Sequence, residues 1–295
     1  IPLPNSSAGS PVQFSEPAAY SYESCHCCPR NCQINRTKKQ GWCHSPAGIR
    51  AARAALHPWE EPCISGLHGS GTIFFSGCTL RCCFCQNYQI SSEGFGKDIS
   101  ETRLEEIFLE LQTQGAHNIN LVTATQFLPS VIQLRERQAF LHIPVVYNCG
   151  GYESLETVQA LEPYVDVWLP DLKYMDSSIS SLYQKAPDYF SAASRAVQQM
   201  IRQTGPLLFE EYAEHRQTCR LLKRGTILRH MVLPGQKEDS IRLLDWISET
   251  LPRGQFLLSL LSQYRPFYKS SEHPEINRRI TTYEYEKVLD HAIRL

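Results

Sequence analysis

From Gly71 onward, short apolar runs rich in β-branched and aromatic residues alternate with stretches of helical period, and that alternation constrains the fold more than any other feature. Repeated βα units bury a parallel sheet under helices. Six runs qualify as strands: 72–76, 119–123, 144–148, 165–169, 226–232 and 256–261. A closed eight-unit barrel takes about 250 residues, more than this region holds. A partial (β/α)6 barrel of parallel strands with one long insertion is therefore expected. Between the strands, Thr102 with Glu105 and Thr281 with Glu284 read as capping boxes. Ile241, Leu244, Trp246, Ile247 and Leu251 form an apolar helical face stopped by Pro252. The stretch 175–225 shows a helix through 195–202 and no clear strand.

In such a barrel the loops after the strands open on one face, so chemistry gathers at the strand ends. Polar residues follow every expected strand. The first runs into the string Ser76-Gly-Cys-Thr-Leu-Arg-Cys-Cys-Phe-Cys-Gln-Asn87, where Cys78, Cys82 and Cys85 place three thiols in one tight loop. Iron–sulfur clusters are usually held by four cysteines, so three leave one iron open to a reacting molecule. Zinc or a redox dithiol are the alternatives. Cys83, adjacent to Cys82, reads as a packing residue.

The loop and the upstream block from Cys25 to Cys32 resemble the radical SAM superfamily, in its pyruvate formate-lyase-activating-enzyme-like branch. The resemblance covers most of residues 22–295. It implies that Cys78, Cys82 and Cys85 carry a [4Fe-4S] cluster chelated by S-adenosylmethionine, which is cleaved reductively to abstract hydrogen from a protein or peptide substrate, with electrons from a donor such as flavodoxin or ferredoxin. It also implies cofactor contacts. Thr123, Ala124 and Thr125 stand where the family has Gly-Gly-Glu, a departure that leaves backbone groups to meet the amino group. Asn148 and Gly150 fall in the ribose-side loop, Asp171 and Lys173 match an Asp-Leu-Lys segment, and Arg229 is placed toward the cofactor carboxylate. Tyr264 and Arg265 are expected on the substrate side. His230 alternates with Arg229 and is expected to face a helix; Cys149 is expected to be a small buried residue, and His142, His215 and His273 surface or packing residues.

Ten of the twelve cysteines fall between Cys25 and Cys85, which favours metal over disulfides. Cys25, Cys28, Cys32 and Cys43 make a second four-thiolate set, suited to zinc or a second iron–sulfur cluster. Three segments are expected: a flexible lead over 1–21, a cysteine-rich segment over 22–62, and the barrel over 63–295. A net charge of −1 gives no basic field for nucleic acid. No apolar run is long enough to span a membrane, and low-potential chemistry places the chain in the cytoplasm. Modification of a small molecule, or a non-catalytic zinc or iron–sulfur protein, are the competing functions.

Overall fold

The structure is a computed structural model that describes residues 20–136, 141–214 and 216–295. Apart from Tyr20 and Ser21, the expected lead lies outside these residues, as does His215. The described strands are β1 (Ile49–His57), β2 (Ser70–Phe75), β3 (Lys97–Ile99), β4 (Ile119–Val122), β5 (Val145–Cys149), β6 (Val167–Pro170), β7 (Leu208–Glu214), β8 (Gln217–Met231) and β9 (Leu257–Leu261). They form one sheet in the order β3-β1-β2-β4-β5-β6-β8-β7, with β9 on β8.

The six expected strands correspond to β2, β4, β5, β6, β8 and β9, and each pairs in parallel with its neighbour, as Gly71↔Ile119, Ile119↔Val145, Val146↔Val167, Val167↔Gly225 and Ile227↔Leu257 show. The sheet curves into an open partial barrel. Among the described residues no ladder joins β9 to β2. Residues 58–66 fill part of that gap: Ser259 Oγ donates to Glu61 Oε1 at 2.9 Å, and Ile64 is buried with Val146, Val167, Leu169 and Ile227 inside the barrel.

Two larger cores lie outside the sheet. In one, Leu104, Ile107, Phe108 and Leu111 of helix Glu101–Thr113 pack with Ile73, Leu121 and Tyr147, because their spacing puts all four on one face. In the other, helices Tyr189–Thr204, Lys237–Thr250 and Thr282–Arg294 bury Ala193, Val197, Leu243, Leu244 and Val288. Burying such side chains supplies about 25 cal/mol per Å² of apolar surface, the main favourable term in the fold.

Several local expectations need correction. The helix expected to start at Thr102 is capped by Ser100, whose side chain accepts from Arg103 N, so Thr102 sits inside the first turn. The region 175–225 does contain strands, since β7 and the first half of β8 form an antiparallel hairpin. Its exposed, charge-bearing edge, with Glu210, Glu211, Arg220 and Lys223, has no apolar run to betray it. β1 also escaped notice, because its centre is exposed and Ala-rich. The box at Thr281 and Glu284 is present in full. Thr281→Ala should cost about 1 kcal/mol in urea unfolding, and no change there would mean that the cap contributes nothing.

Candidate active site

The loop after β2 is held in place mainly through its backbone. Gly77 turns it at φ +85°, where an added Cβ would lie 2.2 Å from Ser45 Oγ. Arg81 N donates to Gln184 O at 3.1 Å, Cys83 N to Tyr183 O at 2.7 Å, and Lys269 N to Cys83 O at 2.8 Å. Cys78, Cys82 and Cys85 thereby line one cavity of about 750 Å³ at the carboxyl ends of the parallel strands. Cys83 points away from it and is buried beside Phe84 and Tyr264.

Burial pushes the Cys78 thiol up to about 12, and Cys82 is raised as well, so the protein alone keeps both protonated. A bound metal reverses that preference and releases the protons. Leu80 N–H lies 3.4 Å from Cys78 Sγ, the kind of hydrogen bond that tunes a cluster thiolate. Among the described residues no three His, Cys, Asp or Glu side chains converge on a point where one ion could sit. A four-iron cluster takes its ligands on separate irons, and three thiols lining one cavity fit such a group.

In the same cavity, the strand ends supply a charged network. Arg229 of β8 points inward, and its guanidinium donates to Asp171 Oδ1 (2.8 Å), Glu60 Oε1 (3.1 Å) and Asn148 Oδ1 (2.7 Å). Lys173 Nζ reaches Asp171 Oδ2 at 2.5 Å. Burial opposes the charge on Asp171, but Arg229 and Lys173 outweigh it and hold the carboxyl below its ordinary range. Burial likewise works against Lys173, which Asp171 holds above its ordinary value. Each charge is thus matched inside the cavity. Gly151 lies behind Asp171 at φ +77°, and a Cβ there would lie 2.0 Å from Asp171 O, so only glycine fits. Gly150 lines the cavity beneath Leu80, whose Cδ1 would be 2.7 Å from an added Cβ.

Sequence reasoning missed Glu60 and Tyr189. Glu60 enters from the segment after β1 and accepts from Asn120 Nδ2 (3.1 Å) and Asn148 Nδ2 (3.0 Å) as well as from Arg229. The tertiary fold alone brings it there, and no local motif marks it. The Tyr189 hydroxyl lies 2.9 Å from both Gly150 O and Asp171 O and accepts from Lys173 N at 3.0 Å, tying two strand ends together.

The structure separates the Thr123-Ala124-Thr125 group. Thr123 lines the cavity at φ +59°, whereas Ala124 and Thr125 turn into the core. Thr125 Oγ1 donates to Glu153 Oε1 at 2.9 Å and accepts from Tyr147 OH at 3.0 Å. Gln126 Nε2 approaches the carbonyls of Ser76, Gly77 and Thr123 and ties this turn to the cysteine loop. Tyr264 is not on the substrate side: it is buried and donates to Ile276 O at 2.8 Å, while Arg265 stays at the mouth. His230 faces helix Lys237–Thr250 through Ser240 Oγ at 2.9 Å, with its other nitrogen 2.7 Å from Leu172 O. Cys149 is buried yet touches the cavity. His142 is exposed, and His273 packs edge-on against Tyr183.

Glu153 is enclosed, and burial pushes its carboxyl up to about 8, with Thr125 working the other way. The folded chain therefore holds this proton where the unfolded chain, at about 4.3, has lost it. That contribution to stability is complete below pH 4.3 and is lost as pH rises through 8. In unfolding of the metal-free protein, wild type should lose ground to Glu153→Gln between pH 5 and 8; a pH-independent difference would show that Glu153 is already ionised.

Among the upstream cysteines, burial raises the Cys28 thiol, and Cys43 and Cys25 lie close enough to add to that effect. Cys25 and Cys27 sink into the main core, where the Cys27 thiol and the Arg36 guanidinium, 3.9 Å from Cys25 Sγ, favour the Cys25 thiolate. Cys32 and Cys43 share the space over Gly41, their sulfurs 3.7 and 3.8 Å from where its Cβ would be. Among the described residues Cys25, Cys28, Cys32 and Cys43 do not converge on a single point, and neither do Cys78, Cys82 and Cys85.

A family model described as the radical SAM superfamily matches residues 72–247, which include the cysteine loop and five of the six parallel strands. The chain belongs to the radical SAM superfamily. An uncharacterized protein of Methanocaldococcus jannaschii is 30% identical over 280 residues, covering 92% of this chain and 75% of that protein. Among solved structures, Streptococcus suis SuiB bound to S-adenosylmethionine is similar over 73% of this chain (14% identity, TM-score 0.47), and this chain spans 44% of SuiB. Methylornithine synthase is similar over 73% of this chain (13% identity, TM-score 0.47), and 59% of that enzyme is covered. No helix among the described residues is long and apolar enough to cross a membrane.

Proposed function

We propose that this chain is a radical enzyme that abstracts hydrogen from a protein or peptide, in the manner of enzymes that activate glycyl radical partners. The observation that carries the reading is the set of three cysteines lining one cavity together with a fully paired Asp171, Lys173 and Arg229 network. Cys78, Cys82 and Cys85 would hold the cluster; Thr123, Asn148, Gly150, Asp171, Lys173 and Arg229 would surround S-adenosylmethionine. When bound, that pair supplies one-electron cleavage of the sulfonium and a carbon-centred radical able to remove a hydrogen atom.

The protein's own part is binding, orientation and exclusion of water. Glu60 and Asp171 keep Arg229 from swinging, and Tyr189 keeps the strand ends in register. Immobile dipoles of this kind need no rearrangement during reaction. The chemistry needs a reducing compartment, which supports a cytoplasmic location with flavodoxin or ferredoxin as reductant. The direct test is anaerobic incubation of the reconstituted, dithionite-reduced protein with S-adenosylmethionine and candidate glycyl radical partners, followed by electron paramagnetic resonance. A substrate-borne radical dependent on all components is expected. Turnover of a small metabolite with no radical on any polypeptide would overturn the peptide assignment.

A further inference from the structure

Charges deep in the cavity are matched, but those at its mouth are not. One lip carries Arg53 and His57 of β1 and Trp59 just after it; the other carries Gln263, Arg265 and Phe267, which follow β9. Neither Arg53 nor Arg265 has a carboxylate partner among the described residues. Trp59 is 83% exposed and Phe267 41% exposed, beside a concave site. Large exposed aromatics at such a place mark a binding surface.

The shape of the mouth follows from the fold. Its lips belong to β1 and to the segment after β9, the two sides of the gap where the barrel does not close. A window on that side admits a chain crossing sideways. The cavity, at about 750 Å³, is of a size that holds one drug-sized ligand. If cofactor and cluster fill its depth, only the reacting end of a substrate enters and the rest lies across the lips.

We infer that the mouth binds an extended acidic peptide segment, with Arg53 and Arg265 each holding a carboxylate and Trp59 and Phe267 covering the chain between them. The inference rests on the function proposed above. A guanidinium fork matches a carboxylate in two parallel hydrogen bonds, and two unpaired cations suit two carboxylates. Nucleic acid binding draws on a longer run of cations, since its affinity comes from many phosphate contacts.

The test uses the full chain, reconstituted anaerobically with S-adenosylmethionine present, and fluorescence anisotropy of a labelled glycine-rich nonapeptide bearing one Asp and one Glu, or two Lys in their place. The acidic peptide should bind at least about tenfold more tightly, the size of effect that loss of one charged contact gives. In Arg53→Glu/Arg265→Glu the preference should reverse toward the lysine peptide, a gain that a misfolded chain cannot give. Equal binding of both peptides, a preference untouched by the double change, or a thymidine oligonucleotide that competes as well as the acidic peptide would overturn it. Because binding is read without turnover, this failure is separable from failure to cleave S-adenosylmethionine, which would strike the proposed function instead.

Discussion

Cys82→Ala is expected to strip the reconstituted protein of its cluster and to lower S-adenosylmethionine cleavage by more than about a hundredfold, the upper end of what loss of a partner outside the ligand shell costs a metal site. Its thiol lies in the cavity wall with Cys78 and Cys85, which Lys173 also lines. On the proposed function, Cys78 and Cys85 alone would not anchor a cluster that the three thiols would hold incompletely. The neighbouring residue supplies the control. Cys83 is buried on the other side of the loop and is absent from the cavity wall, so Cys83→Ala should keep its iron and lose only a small amount of packing. Iron and sulfide content with product formation would check both. Equal iron loss in the two variants would mean that the loop had unfolded; full iron in Cys82→Ala would remove Cys82 from the ligand set.

Arg229→Met should cost about 3–5 kcal/mol, the range for removing one partner of a buried ion pair. Arg229 is held between Asp171 and Glu60 and also satisfies Asn148 Oδ1, so its loss leaves two mostly buried carboxylates and an amide oxygen without their cation. Lys173 still pairs with Asp171, which leaves Glu60 as the main uncompensated charge. Glu60→Gln in the Arg229→Met background should therefore restore part of the stability, although each change alone is destabilising. Denaturant midpoints of the metal-free protein, all at one pH, would measure the cycle. Additive losses would show that Glu60 and Arg229 do not interact.

Much of the barrel was legible because parallel strands buried on both faces read as continuous apolar runs. Thr72–Ser76 and Ile119–Thr123 announce themselves in this way. The charged hairpin of β7 and β8 and the Ala-rich β1 carry no such pattern, since their exposed faces lack the apolar alternation that marks a strand. The cysteine loop was legible from spacing, whereas Asp171, Lys173 and Arg229 were singled out by the family resemblance, since alternation along the strand does not decide between Arg229 and His230. Ala124 and Thr125 were harder: the sequence places them at the rim, but the 3-10 turn that begins at Thr125 rolls both side chains into the core. Glu60 was invisible, because a carboxylate in the segment after β1 reaches Arg229 only once residues 58–66 pack against the inner strands.

Iron-57 Mössbauer spectroscopy of the anaerobically reconstituted wild-type chain, with and without S-adenosylmethionine, bears most directly on an incompletely ligated centre at Cys78, Cys82 and Cys85. The expected result is a four-iron cluster in which one iron of the four changes its signal when S-adenosylmethionine binds, an effect lost in Cys82→Ala. A spectrum in which all four irons ignore S-adenosylmethionine, or a preparation that takes up zinc and no cluster, would contradict it.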